Sequence, residues 1–162
     1  MPLVSEKTRI ILKLFTPQRR KPNPRHALPA AERDLAGKTI VFTGGTDGIG
    51  RVAVEMLHQM GAHVVVPGRD AAKGKALLAA LAARGKASFE PCDLADLQSV
   101  KDCAARILAA HSRIDVLVNC AGINAMSDVP TKDGFAMNWS VNYLAPVLLT
   151  RLLLDRLRDA AP

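Results

Sequence analysis

One junction constrains this chain more than any other feature. The β-branched, apolar run Lys38-Thr39-Ile40-Val41-Phe42-Thr43 passes into Gly44-Gly45-Thr46-Asp47-Gly48-Ile49-Gly50 and then into a helical pattern. An uninterrupted run of this kind reads as a strand buried on both faces, which occurs where helices cover both sides of a parallel sheet. Gly44 permits a tight turn, Gly48 lets backbone approach an anion, and Gly50 lets the following helix pack close to the sheet. Free N–H groups and the positive end of a helix dipole then converge on one point, a geometry suited to phosphate.

The alternation continues along the chain. The helix over Gly48–Met60 places Val52, Met56, Leu57 and Met60 on one face, and Ala62–Val66 is the second strand. Residues 70–84 form an Ala-rich helix capped by Asp70, with Leu77, Leu78 and Leu81 as its buried stripe, and Lys86–Pro91 is a weaker third strand. Asp96 caps a helix to His111, with Val100, Cys103, Ala104, Ile107 and Leu108 at helical spacing. Asp115–Val118 is a short fourth strand with a fully buried pattern. A loop at 122–133 leads into a long helix from Gly134 to Leu157. Strict alternation implies parallel strands joined by right-handed crossovers. The expected fold is α/β, a Rossmann-like doubly wound parallel sheet of order 3-2-1-4. Its cleft lies at the carboxyl ends, where the order reverses between strands 1 and 4.

The net charge of +7 invites a nucleic-acid reading. However, residues 1–31 hold seven of the 22 basic side chains and one of the 15 acidic ones, which leaves the rest nearly neutral. A nearly neutral body argues against nucleic acid as a partner. The expected organisation is a basic, Pro-rich extension over 1–33, with Pro17, Pro22, Pro24 and Pro29 in an extended linker, followed by a domain over 34–162. A solvated extension is the simpler reading of the basic segment; a membrane-surface or targeting element is the alternative. The run Ile10-Ile11-Leu12 is interrupted by Lys13 and is too short to span a bilayer, so no transmembrane span is expected. Cys92, Cys103 and Cys120 are an odd number with no C-x-x-C pair, which points to neither a disulfide framework nor zinc and favours a reducing compartment such as the cytoplasm. The four histidines have no metal spacing, and no metal is expected.

The spacing T-G-x-x-x-G-x-G over Thr43–Gly50 resembles the short-chain dehydrogenase/reductase family. Cys92-Asp93-Leu94, Asn119-Cys120-Ala121-Gly122 and Ser140-Val141-Asn142-Tyr143-Leu144 agree with that family in order and distance. Residues 141–150 read like its retinol-dehydrogenase-like subgroup. The resemblance implies a nicotinamide dinucleotide bound by Gly44, Thr46, Asp47, Gly48, Ile49 and Gly50. It gives Asp93 and Leu94 the adenine, and Asn119, Ala121 and Gly122 the adenosine ribose. It gives Asn142 a place in the catalytic relay, through its backbone carbonyl at a local helix distortion. Cys120 stands where the family carries an Asn that braces neighbouring strands, so a weaker sheet is expected. Pro146 should kink the long helix just after Asn142.

The residue after the second strand selects the cofactor, because an acid there bonds a ribose 2′-OH and repels a 2′-phosphate. Gly68 occupies that position and Arg69 follows it, a fork suited to phosphate, so NADP is favoured over NAD. Asp47 argues mildly the other way, and a solvated Arg69 paired with Asp70 is the alternative. The family reaction needs a Ser, and a Tyr with a Lys four residues later that lowers the tyrosine pKa. The one tyrosine, Tyr143, is followed four positions on by Val147; the last lysine is Lys132 and the last serine Ser140. The sequence therefore reads as the cofactor-binding part of an NADP-dependent oxidoreductase for a small alcohol or carbonyl substrate, truncated before its fifth strand. A non-catalytic dinucleotide-binding module, or a partner of a full-length relative, is the alternative. The resemblance adds a homo-oligomer through the helix bearing Asn142.

Overall fold

A computed structural model describes residues 34–82, 86–126 and 129–161 of the chain. The expectations for the 1–33 extension and for residues 83–84 of the second helix lie outside the described residues. Four strands, β1 (Thr39–Thr43), β2 (His63–Gly68), β3 (Ala87–Pro91) and β4 (Val116–Asn119), form one sheet of order β3-β2-β1-β4. Every pairing is parallel: β1 with β2 in the register Ile40 to Val64, β1 with β4 from Ile40 to Val116, and β2 with β3 from Val65 to Ser88. This is the doubly wound arrangement that the strand and helix patterns imply.

The helices that follow the first three strands are α1 (Gly48–Gln59), α2 (Ala71–Leu81) and α3 (Leu97–Ala110). Alternate residues of each strand feed two cores, as a period of two requires. Ile40, Phe42, Val64 and Val66 join Val54 of α1 with Leu77 and Leu81 of α2 on one face. Val41 and Val65 join Val100, Cys103 and Ile107 of α3 on the other. Asp70 and Asp96 cap α2 and α3 as the sequence indicates, accepting from the N–H groups of Lys73, and of Gln98 and Ser99, respectively.

Three expectations change. In α1 the buried residues are Gly50, Val54 and His58, whereas Val52 and Met56 are 57% and 58% exposed. The cause is Gly50: a Cβ there would lie 2.1 Å from the carbonyl oxygen of Gly44, so this position must face the turn, and positions 54 and 58 fall beneath it. Strand β4 is exposed at both ends rather than fully buried, because among the described residues it pairs only with β1. The long helix begins later and is interrupted: α4 (Met137–Trp139) runs into a π-helical segment, Ser140–Leu144, and then α5 (Ala145–Asp159). Pro146 sits in the first turn of α5, directly after the wider π turn, where its missing N–H is tolerated. Among the described residues, no helix is long and apolar enough to cross a membrane.

Candidate functional site

A cleft of about 750 Å³ opens at the carboxyl ends of the strands, at the reversal of strand order. Its floor is the turn between β1 and α1. Gly44 has φ 75°, and a Cβ there would lie 2.7 Å from the Cα of Ala121, so this backbone fits only glycine. Gly48 has φ 54° and open space where a Cβ would be. The turn thus presents main chain to the cleft at the N-terminus of α1, the geometry that favours an anion.

The wall opposite is the segment after β4, held mostly through its main chain. The buried Thr43 Oγ1 accepts from the N–H groups of Cys120 and Ala121, each at 3.2 Å, and donates to the Val118 carbonyl at 3.4 Å. This hydroxyl joins β1 to β4 and to the loop, whatever the side chain at 120, and Cys120 itself is exposed. Further along, Asn142 Oδ1 accepts from Ile123 N at 2.9 Å while its Nδ2 donates to Ile123 O at 2.8 Å. Asn138 does the same to Ala125, at 2.8 and 3.0 Å. Two asparagines on one helical face therefore pair with alternate residues of an extended segment, much as a neighbouring strand would.

The end of β3 completes the cleft with Cys92, Asp93 and Leu94. Asp93 is set by its own loop: its N–H donates to Ser99 Oγ at 2.9 Å and its Oδ1 accepts from Ala95 N at 2.9 Å. Contact with Cys92, together with burial, pushes the thiol of the buried Cys103 well above its ordinary range. At the end of β2, Gly68 is close to the Phe89 ring, and just beyond it Arg69 and Lys73 line the rim. Lys73 Nζ bonds Asp47 Oδ2 at 2.5 Å, and this bond, with the Gly48 N–H, holds the Asp47 carboxyl below its usual range while raising the lysine.

Of the residues singled out in the sequence, Gly44, Thr46, Asp47, Gly48, Ile49, Gly50, Arg69, Asp93, Leu94, Ala121 and Gly122 all line this cleft. Asn119 does not; its amide donates to Thr150 Oγ1 of α5 at 3.1 Å. Asn142 lies in the π-helical segment, a local distortion of the expected kind; it does not line the cleft itself but bonds Ile123 and lies beside Gly122, both of which do. Arg69 makes no ion pair with Asp70, whose carboxylate is committed to the α2 cap. Tyr143 stacks on Trp139 with ring centroids 4.4 Å apart and is no part of the cleft wall. Sequence reasoning passed over Thr43 as an anchor, Asn138, Lys73 and Ile123. Asn138 was within reach, as the four-residue spacing to Asn142 puts both on one helix face.

Comparison with known proteins bears on the same residues. The short chain dehydrogenase family model matches residues 38–161. Human retinol dehydrogenase 13 is 38% identical over 133 residues, covering 79% of this chain and 40% of that protein. Mouse retinol dehydrogenase 11 is 35% identical over 155 residues, covering 94% of this chain and 49% of that protein. Among solved structures, a metagenomic short-chain oxidoreductase in complex with NADP has a TM-score of 0.68 at 34% identity, covering 77% of this chain and 58% of that one. The active-site complex of Pseudomonas aeruginosa RhlG with NADP has a TM-score of 0.69 at 29% identity, covering 80% and 52%. The chain thus spans less than half the length of these two curated relatives.

Proposed function

Because this chain belongs to the short-chain dehydrogenase/reductase family and is retinol-dehydrogenase-like, we propose that it forms the NADP-binding part of an oxidoreductase for a small alcohol or carbonyl substrate. The observation that carries this reading is the cleft floor. Gly44 and Gly50 are packed so closely against backbone that a Cβ would clash, and the main chain they expose lies at a helix N-terminus. That cradle fits a dinucleotide pyrophosphate. When bound, the cofactor supplies hydride-transfer chemistry at its nicotinamide ring.

The residues of this chain bind and orient. Thr46, Asp47, Gly48 and Ile49 surround the pyrophosphate, Arg69 takes the 2′-phosphate, Asp93 and Leu94 hold the adenine, and Ala121 and Gly122 leave room for the ribose. Gly68 supports NADP over NAD, since no carboxylate at that position competes for the 2′-position. We read Asn142 as a positioning residue that fixes the segment carrying Ile123. A second reading, binding without turnover, draws on Tyr143: it lies outside the cleft wall, and residues 1–162 contain no Tyr-x-x-x-Lys pair. On either reading, residues 1–162 supply no Tyr-x-x-x-Lys pair for proton transfer.

Fluorescence titration with NADPH tests the binding, and turnover with retinal or simple carbonyls separates the two readings. No NADPH binding at high micromolar concentration refutes the proposal, and turnover by residues 1–162 alone refutes the reading of binding without turnover. Arg69→Glu should weaken NADPH by about tenfold more than NADH, a difference of about 1.4 kcal/mol; equal losses would refute the NADP preference.

A further inference from the structure

Among the described residues, the wall of the cleft holds two cations, Arg69 and Lys73, against three carboxylates, Asp47, Asp70 and Asp93. Such a balance is unfavourable for a dinucleotide carrying an extra phosphate unless the carboxylates are engaged elsewhere. Two of them are engaged by backbone: Asp70 accepts from Lys73 N and Asp93 from Ala95 N. Asp47 is the one beside the anion cradle, and its Oδ1 already accepts from the Gly48 N–H at 2.8 Å. Its other oxygen is held by Lys73 Nζ.

Both side chains of that ion pair are more than half exposed, so the pair adds little to stability. Its effect is on the field in the cleft. The Asp70 cap places Lys73 in the first turn of α2, directly across from the glycine turn, while Arg69 immediately precedes the cap. Without Lys73, Arg69 would be the only cation among the described residues of that wall, facing an unneutralised Asp47.

Resting on the reading of this cleft as an NADP site, we propose that Lys73 is a specificity-determining residue. It neutralises Asp47 and, with Arg69, makes the wall that favours a 2′-phosphorylated adenosine over an unphosphorylated one. Asp47 in the glycine turn is thus compatible with the phosphorylated cofactor because a lysine from α2 compensates for it.

The test is a double-variant cycle on the whole chain: unmodified, K73M, D47N and D47N/K73M, each titrated by calorimetry with 2′-phospho-ADP-ribose and with ADP-ribose. Thermal melts establish folding, and K73Q replaces K73M if the latter does not fold. K73M should weaken 2′-phospho-ADP-ribose by about tenfold or more and ADP-ribose by less than about threefold, and added salt should narrow the gap. Removing the orphaned carboxylate in D47N/K73M should restore most of the loss. Equal losses for both ligands would assign Lys73 to the pyrophosphate and overturn the proposal, as would additive effects in the cycle. If the unmodified chain binds neither ligand, the NADP reading itself fails with it; if it binds and K73M is not selective, only the role of Lys73 fails.

Discussion

Thr43→Val keeps the shape of a buried side chain and removes one hydroxyl. In the folded chain that hydroxyl is the acceptor for the N–H groups of Cys120 and Ala121 and the donor to Val118 O. The valine variant leaves two partly buried N–H groups without their acceptor, at about 1–1.5 kcal/mol each, so the expected loss is about 2–3 kcal/mol. Thr43→Ser keeps the hydroxyl and removes a buried methyl group, which costs about 1 kcal/mol. The serine variant should therefore be the more stable of the two, the reverse of what burial of apolar surface alone requires. Urea unfolding followed by circular dichroism measures both. With a slope of about 1–3 kcal/mol per M, the midpoint of the valine variant should fall by about 0.7–3 M without a change in slope. Amide exchange at Cys120 and Ala121 should accelerate in the valine variant and stay slow in the serine variant. A serine variant as unstable as the valine variant, or less stable, would refute the view that this hydroxyl ties β1 to the cleft wall.

Gly50→Ala forces a Cβ against the Gly44 carbonyl, with 2.1 Å between them if nothing moves. The turn or α1 must shift, at about 1–3 kcal/mol, and NADPH titration should show at least about a tenfold loss of affinity. Asn142→Ala removes both hydrogen bonds to Ile123 and should cost about 1–2 kcal/mol, with faster amide exchange at Ile123 and little change at Ala125, which Asn138 holds. Asp115 gives an acid-side test. Burial opposes its charge, but Thr39 N–H, Lys38 and Arg113 hold its carboxyl below the ordinary 3.8. On acidification the unfolded chain takes up the proton first, so this stabilisation is complete above that value and is lost as the pH falls through it towards the lower folded pKa. Asp115→Asn should lower stability at neutral pH and flatten its fall below about pH 4, as unfolding at several pH values would show.

The sheet order and the floor of the cleft were legible because each rests on a local rule. β-branched runs define buried strands, and glycines mark positions where backbone meets backbone. The rotation of α1 was not legible, because Val52 and Met56 fit an apolar stripe as well as Val54 does. What decides it is the contact between Gly50 and Gly44, which depends on how the turn closes in three dimensions. Lys73 escaped for a related reason: its partner Asp47 is 26 positions away in sequence and meets it only across the cleft. Thr43 looked like the last strand residue of a motif, and nothing in its neighbours reveals that its hydroxyl bonds a loop 77 and 78 positions on.

These long-range contacts share one property, which bears on Cys120. The cleft presents main chain at the glycine turn, at 120–122 and at Ile123, and that main chain is fixed by side chains that do not themselves line it: Thr43, Asn138 and Asn142. A segment held through its N–H and carbonyl groups leaves its own side chains free to vary. The exposed Cys120 is such a case: its N–H is held by a hydroxyl on the neighbouring strand while its side chain faces solvent. It follows that Cys120→Asn should change stability far less than Thr43→Val does. The positions most sensitive to change around this cleft are then of two kinds: those where a Cβ cannot fit, and those whose short polar side chains reach the backbone opposite.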